Sequence, residues 1–501
     1  MARHMIISKS PGSVGDGRQD VDAICLGSGR FLRSVLVPFL SSNMKPAVFQ
    51  TRGRNFLDFF GTNGGDDSDG VISVASLLCY PVDTVQFDGN ITTSDVEIYA
   101  AGTLGSTEGR VQLLENLISN LRCISVIGVG VTEAGMQNAD NQCMVDLTEL
   151  LYRIYSKPLT CTNPNGRICV INTDNVPNNG DVIRGHVLKN AEQYDMKEVE
   201  DNVLSGFVDF VLSKVAFLNS MVDRITSSRP GSDGLIPMCE PLPMKAMVIC
   251  DPERDLPLWM NDTSVQSRFG VKIRHDPADL EADISLKLRV ANATHTAVAH
   301  PMALMSLVNT DALCKSSTSS EVILTYLDSL YQAQILPGAI HDDISMEETE
   351  AAWTDWRKRL QHPHFGLSTF FITQNGAAKC GIRLGPTIKG LLNASVRDTS
   401  GNTTVSDHPL SVSMAFAVAA ILRFLTPASN VLGDVPGWCE RASDARARGI
   451  YIGWLDTNKD PGEGSNESVT YADGLGYNLC EGWYEFRCDC LVKTHGAGLG
   501  D

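Results

Sequence analysis

Three residues in one short segment carry side chains suited to moving a proton beside a polarised oxygen. They are Lys287, Asn292 and His295, in Ser285-Leu-Lys-Leu-Arg-Val-Ala-Asn-Ala-Thr-His295. A lysine can carry the proton, an amide can donate to an oxygen that gains charge, and an imidazole can orient either partner. At about 100° per residue on a regular helix, His295 falls roughly 80° and Asn292 roughly 140° around the axis from Lys287, so all three can line one wall of a pocket. A solvated helix face with a histidine on it fits the same letters. The elements around the segment must decide between the two.

A chain of 501 residues with 43% hydrophobic content is too long for one core and reads as two or three folded domains. The formal charge of −18 argues against a nucleic-acid partner, which needs clustered cations to neutralise phosphates. The apolar run Met5-Ile-Ile7 is far short of a signal-peptide core. The longest apolar helix candidate, Val412 to Leu425, is interrupted by Arg423 and too short to span a bilayer. A soluble, cytoplasmic protein without a membrane partner is expected, as a monomer or small homo-oligomer. The 14 cysteines are scattered, many inside apolar stretches, as buried free thiols would be. Cys488-Asp-Cys490, with Cys480 upstream, lacks the second ligand pair of a structural zinc site, so no metal is expected.

The apolar run Ala23 to Leu26 leads into Gly27-Ser-Gly29-Arg-Phe-Leu-Arg33 and the helical pattern Ser34 to Leu40, a strand, glycine turn and helix. Further strands are expected at Ala47 to Thr51, Thr84 to Phe87, Val96 to Ala100, Cys123 to Val131 and Ile168 to Asn172, with helices at Arg110 to Arg122 and Met144 to Tyr155. Strands alternating with helices imply an α/β domain whose parallel sheet is covered on both faces. Beyond residue 236, helical spacing dominates at Leu286 to Leu307, Ser319 to Ala333, Ser345 to Leu360, Gly385 to Asn393 and Leu410 to Leu425. The expected divisions are an α/β domain at 18–236, a mostly α-helical domain at 237–428 and an irregular extension at 429–501.

Gly27-x-Gly29 after a buried strand suits a dinucleotide pyrophosphate, because backbone N–H groups at a helix N-terminus can approach the phosphates where side chains are absent. Leu32 replaces the third glycine of the usual fingerprint, and a plain strand-to-helix turn reads the same way. Arg30 and Arg33 are candidates for phosphate contacts or for surface charge. Where a carboxylate would read the ribose at the end of the second strand stand Gln50-Thr51-Arg52. Arg52 or Arg54 could hold a 2′-phosphate instead, so NAD and NADP both stay open. Val131-Thr132-Glu133-Ala-Gly135 and Ile171 to Gly180 follow two more strands, at the end of an open sheet where ligands bind. The letters contain no G-x-S-x-G elbow, G-x-x-x-x-G-K-[ST] loop, H-E-x-x-H pair or Tyr-x-x-x-Lys.

The stretch Val215-Ala-Phe-Leu-Asn-Ser-Met-Val-Asp-Arg-Ile-Thr-Ser227 resembles the signature of the mannitol dehydrogenase family, the polyol-specific long-chain dehydrogenases and reductases. Lys287-x4-Asn292-x2-His295 is similar to that family's catalytic motif, and Gly27-x-Gly29-x-Phe31-x-Arg33 to its cofactor turn. Thr132 and Glu133, and Thr173-Asp-Asn175-x-Pro-x-Asn-Gly180, match further family segments in order. The resemblance, over residues 21 to 425, implies a Rossmann-type N-terminal domain, a helical C-terminal domain and metal-free hydride transfer with NAD or NADP. By position it makes Lys287 the general acid/base, Asn175 and Asn292 the donors to the reacting oxygen, His295 an orienting group and Asp223 a polar partner of the substrate. To accept a proton near neutral pH a lysine must fall roughly two to three units from about 10.4, equivalent to ~3 to 4 kcal/mol against its charged form.

The family includes polyol dehydrogenases, such as mannitol 2-dehydrogenases, and reductases of the hexuronates tagaturonate and fructuronate. Polyol members carry an arginine eight residues before a substrate lysine; here Phe371 precedes Lys379, and Arg383 follows it. Arg383 could pair with a sugar carboxylate, so the hexuronate branch is expected, with the polyol branch as the alternative. Ile284 stands where the family has a glutamate, and the last 75 or so residues match no family segment. That departure leaves a third possibility, a nucleotide-binding regulator that has lost turnover.

Overall fold

Short apolar runs build the first half of the protein. In the computed structural model, β1 (Ala23–Leu26), β2 (Pro46–Gln50), β5 (Val126–Val129), β6 (Ile168–Asn172) and β7 (Val215–Leu218) are four or five residues long and almost wholly buried. Strands covered on both faces need such continuous apolar character. Ile24 and Leu26 enter one core with Leu147, Leu150 and Ile183, whereas Ala23 and Cys25 enter the other with Leu36 and Phe39. The helices Gln142–Ser156 and Asn179–Glu200 cover the first of these faces.

The described residues are 21–60, 71–104, 114, 118, 121–131, 133–136, 138–157, 159–174, 176–200, 206–305, 307–315, 317–341, 344–373, 376–396 and 410–425. They fall into two compact units, residues up to 86 with 90–283, and residues 87–89 with those from 284 onward. The expected extension at 429–501, with Cys480, Cys488 and Cys490, lies outside the described residues, as does most of the helix expected at Arg110 to Arg122. Among the described residues no helix is long and apolar enough to cross a membrane.

In the first unit, β3 (Val71–Val85), β4 (Ile91–Thr103), β9 (Thr226–Ser228) and β10 (Pro237–Cys239) join the five short strands. Among the described residues they form a nine-stranded sheet in the order β7-β6-β5-β1-β2-β4-β3-β10-β9. The run β4-β2-β1-β5-β6-β7 is parallel throughout and reverses direction of growth at β1, the doubly wound order of a Rossmann-type domain. Of the strand expected at Thr84 to Phe87 only Thr84 and Val85 are strand, at the end of β3; they and the expected Val96 to Ala100 lie on the two arms of one antiparallel hairpin, closed where the Gln86 amide donates to the Asn90 carbonyl at 2.8 Å. Its buried Asp83 takes two bonds of 2.6 Å from Arg229 and one of 2.7 Å from Thr93.

Residues 237–283, expected in the helical domain, belong to the first unit. β10 extends the main sheet, and β11 (Met247–Cys250) pairs with β12 (Val271–Arg274) and with β8 (Ser220–Val222) in a second sheet. Runs of three or four residues are too short for periodicity to separate strand from helix, so only the pairing partners reveal them. The unit boundary falls inside the helix Pro277–Lys287, after Asp283. In the second unit, Ala293–Leu304, Thr318–Leu330, Met346–Leu360, Gly385–Val396 and Val412–Leu425 are helices, and Val290, Ala297, Leu330, Leu384 and Ile421 share their core.

Among the described residues four helical stretches widen into π-turns: Leu32–Leu36, Leu288–Asn292, Tyr331–Ile335 and Cys380–Leu384. The first lies in the helix over residues 30–41, which packs on β5 through an exchange of side-chain sizes. A third fingerprint glycine normally lets this helix approach the sheet closely. Here Leu32 is large and the strand is small, since a methyl on Gly130 would stand 2.8 Å from Leu32 Cβ, and one on Gly128 3.0 Å from Leu36 Cδ2. Gly130→Ala should therefore cost about 1–3 kcal/mol by overpacking. Leu32→Gly alone should cost about 2–5 kcal/mol by opening a cavity. In the double variant the clash is gone, so denaturant melts should give a cost below the sum; simple additivity would mean that the two positions do not meet.

Candidate functional site

β1 ends where the strand order reverses, and the chain there is stripped of side chains. Gly27 has φ of +104°, a region that favours glycine, and a Cβ on it would stand 2.4 Å from the Gly130 carbonyl oxygen. A Cβ on Gly29 would stand 3.3 Å from the same oxygen. The Gly27 amide donates to Phe49 O and the Gly130 amide to Leu26 O, each at 2.7 Å, so the ends of β1, β2 and β5 are fixed together. The helix begins at residue 30, and its first N–H groups have no partner within the helix. Bare backbone at a helix N-terminus is what a pyrophosphate requires.

The arginines beside it differ. Arg33 is buried, and its guanidinium donates to the carbonyls of Ser28 (2.7 Å), Gly234 (3.0 Å) and Leu235, so it braces the turn from behind and is not surface charge. Burial holds its pKa below the usual arginine range. Arg30 is exposed and reaches Ser228 Oγ at 3.3 Å. Phe31 is half-buried against the sheet core. At the end of β2 the Gln50 amide oxygen accepts the Phe56 N–H at 2.9 Å, Arg54 pairs with Asp58 at 2.8 Å, and Arg52 is exposed.

Thr132 and Asn175 lie outside the described residues, and Glu133 opens the single turn Glu133–Met136 after β5. The signature segment has structural duties that the sequence reading missed. The Asn219 side chain accepts the amides of Gly180 (2.8 Å) and Asp181 (3.2 Å), capping the helix Asn179–Glu200. The buried Asn179 clasps Ser220, accepting its amide at 2.9 Å and donating to its carbonyl at 3.1 Å. A methyl on Gly180 would meet the Leu218 carbonyl oxygen at 2.7 Å. Asp223 is half-buried, its amide donating to Ala246 O at 2.8 Å. The adjoining Arg224 is buried and donates to Ser34 O at 2.9 Å and Thr84 Oγ1 at 3.2 Å. Polar residues embedded in an apolar run were the available signal.

In the second unit the π-turn Leu288–Asn292 lies between Lys287 and His295, within a helix that continues to Leu304. One i→i+5 turn absorbs about one residue, or roughly 100°, which brings His295 to about 20° and Asn292 to about 40° from Lys287. The three thus share a narrower face than regular helical spacing gives. All are half-buried. Lys379 precedes the π-turn Cys380–Leu384, which contains Arg383. Lys379 Nζ donates to Ile372 O at 2.8 Å, and Arg383 Nη1 to Thr296 Oγ1 at 2.9 Å, next to His295. Burial brings the Arg383 guanidinium down to about 10, so it stays charged at neutral pH.

The histidines of this helix are held neutral. Burial, then the charges of Arg383, Lys379 and Arg359, keep His295 well below its ordinary value, and its Nε2 is buried without a hydrogen-bond partner among the described residues. His300 Nδ1 contacts Thr296 O at 2.8 Å, and burial lowers its pKa to about 4. Among the described residues no group of His, Cys, Asp and Glu is placed to hold a metal. Burial pushes the Cys25 thiol up to about 12, leaving it protonated and unreactive.

No family model matches the sequence. A mannitol 2-dehydrogenase of Cereibacter sphaeroides is 30% identical over 178 residues, 34% of this chain and 32% of that protein, so the match spans about a third of the relative's length. Among solved structures, a substrate-free D-sorbitol dehydrogenase has a TM-score of 0.57 at 16% identity, covering 94% of this chain and 92% of that one. The Pseudomonas fluorescens mannitol 2-dehydrogenase, in a ternary complex with NAD and D-mannitol, has a TM-score of 0.55 at 16% identity, covering 82% and 80%. The chain shares their fold, an α/β Rossmann-type domain followed by a mostly helical one.

The folded-state pKa of His300 lies below the unfolded value of about 6.5, so as pH falls the unfolded chain binds the proton first. Its contribution to stability is full above about 6.5 and drops toward 4, by of order 3 kcal/mol. His300→Gln should flatten the acid-side loss seen in melts between about pH 7 and about pH 4.5. An unchanged slope would count against a buried neutral ring.

Proposed function

We propose that this protein is an NAD(P)-dependent, metal-independent oxidoreductase that interconverts a sugar alcohol and the corresponding keto-sugar. The observation that carries the reading is the pairing of two features in one chain: a bare-backbone glycine turn at the strand-order reversal, and a lysine, an amide and an imidazole drawn onto one helix face by a π-turn. The likeness to polyol dehydrogenases supports it.

The residues fit a dinucleotide, because Gly27 and Gly29 bring backbone without side chains to the N-terminus of the helix over residues 30–41. Gly27 and Gly29 would hold its pyrophosphate, with Phe31, Arg33, Thr132 and Glu133 shaping the site. A nicotinamide bound there supplies or takes up the hydride. Lys287 gives its proton to the carbonyl oxygen in reduction and removes it from the alcohol in oxidation. Asn292 and Asn175 donate to that oxygen as it gains negative charge, which stabilises it without transferring a proton. His295 orients Lys287 and the substrate, and its neutral ring adds no further positive charge beside the lysine. Asp223 is a polar partner for substrate hydroxyls. With Gln50 engaged in backbone bonding and Arg52 exposed, the end of β2, Gln50-Thr51-Arg52, offers a 2′-phosphate no carboxylate of its own.

A hexuronate such as tagaturonate or fructuronate is the second reading, favoured by the half-buried, charged Arg383 with Lys379 nearby in sequence. A carboxylate would pair with such a group, whereas a neutral polyol would leave it without a counter-charge. Purified protein should oxidise NADH or NADPH with fructose, tagaturonate or fructuronate, and the preferred sugar separates the two readings. Cofactor binding with no oxidation on any of the three would leave a silent nucleotide-binding regulator and sink the enzyme. Lys287→Ala should lower kcat by about 10²–10⁴ with cofactor affinity nearly unchanged. A chelator should leave the rate as it was; loss of activity would overturn the metal-free scheme.

A further inference from the structure

His295 is the member of the proposed proton-transfer face whose ring has no hydrogen-bond anchor at Nε2 among the described residues. Its ring meets the indole of Trp356, from the helix Met346–Leu360, edge to face, with centroids 5.1 Å apart and planes at 66°. Trp356 is 4% exposed. The indole is itself tethered, because Nε1 donates to Thr294 Oγ1 at 2.9 Å. Thr294 is fully buried, adjoins His295, and donates its hydroxyl proton to Val290 O inside the π-turn at 2.6 Å. That hydroxyl thus accepts from the indole and satisfies a carbonyl where the regular helical ladder is broken. The Arg359 guanidinium lies 5.4 Å from the indole centroid.

We infer that Trp356 is a positioning residue that sets the angle of the His295 ring and walls it from water, with Thr294 as the fixed point to which the indole is tied. The inference rests on the proposed role of His295 in the reaction. A phenylalanine would supply the wall and lack the tether, which is what distinguishes tryptophan at this position. The charges acting on the ring, Arg383, Lys379 and Arg359, are all positive. Of the other elements packed on this helix, Thr369–Thr373 carries no charged residue, while Tyr326 and Phe424 meet the next turns at Ala297 and His300. Water reaching the imidazole would stabilise its charged form, so loss of the indole raises the His295 pKa.

The test is a pH titration of the histidine ring nitrogens by NMR on full-length protein, with His295→Gln assigning the signal. In the wild type the ring should stay neutral well below about pH 6.5. Trp356→Ala should move the titration toward about 6.5, and Trp356→Phe and Thr294→Val should keep the low value but show the ring in more than one orientation. In kinetics, Trp356→Ala should lower kcat by about tenfold or more and shift the acid limb of the kcat/KM profile to higher pH, with cofactor KM unchanged. A folded Trp356→Ala protein with the wild-type His295 titration would overturn the inference. If that variant does not fold, Trp356→Phe and Thr294→Val decide, and a single unaltered ring orientation in both overturns it. The NMR readout needs no turnover, so a failure of the oxidoreductase reading is seen separately in the wild-type assay.

Discussion

The close crossing of β1, β5 and the first helix is the constraint on which the rest of the first unit depends. Gly27 cannot carry a side chain because Gly130 O occupies its place, and Gly130 cannot because Leu32 does. Once those three backbones are pressed together, the turn has one position. Two buried arginines hold it from opposite sequence distances: Arg33 reaches back from the helix to Gly234 and Leu235, and Arg224 reaches from the signature segment to Ser34. The signature motif and the glycine turn, about 190 residues apart in the chain, are therefore one assembly. Asn219 and Ser220, in the same motif, fix the start of the helix Asn179–Glu200.

Much of this was legible in the letters. Ile168 to Asn172 is the strand expected, and the helices expected at Met144 to Tyr155 and Ser345 to Leu360 differ from the observed ones by a residue or two. Long amphipathic runs and buried four-residue strands both carry their own pattern. What stayed hidden depends on partners far along the chain. Leu32 reads as a defect in a glycine fingerprint until Gly128 and Gly130 are seen opposite it. β8, β11 and β12 are short apolar runs that become strands through each other. Arg33 looks like a surface cation in sequence because nothing local tells that carbonyls at 234 and 235 await it. Placing Lys287, Asn292 and His295 together was possible from spacing, but the turn that tightens them leaves no periodicity to read.

The second unit concentrates polar groups in an apolar setting, with the energetic tension that entails. Two histidines on one helix are kept neutral, Arg383 is lowered to about 10 yet stays charged, and Tyr331 Oη and Gln334 Oε1 are buried without partners among the described residues. Each arrangement costs stability relative to an apolar replacement. In each of these titrating groups burial is the largest cause of the shift, so packing around this helix sets their charge. Thr294, Thr296 and Trp356 supply the bonds that keep it ordered.

The π-turn at Leu288–Asn292 packs against those at Tyr331–Ile335 and Cys380–Leu384. A helix of this kind separates two properties that a regular helix keeps bound together, its length and the compass direction of its side chains. Excising one residue from the wide turn would restore a regular helix with His295 seven residues beyond Lys287, again about 20° from it, so everything beyond the turn would keep its bearing. The chain thus carries one more residue there than a regular helix would need, without breaking the rod and without turning the face that His295 shares with Lys287.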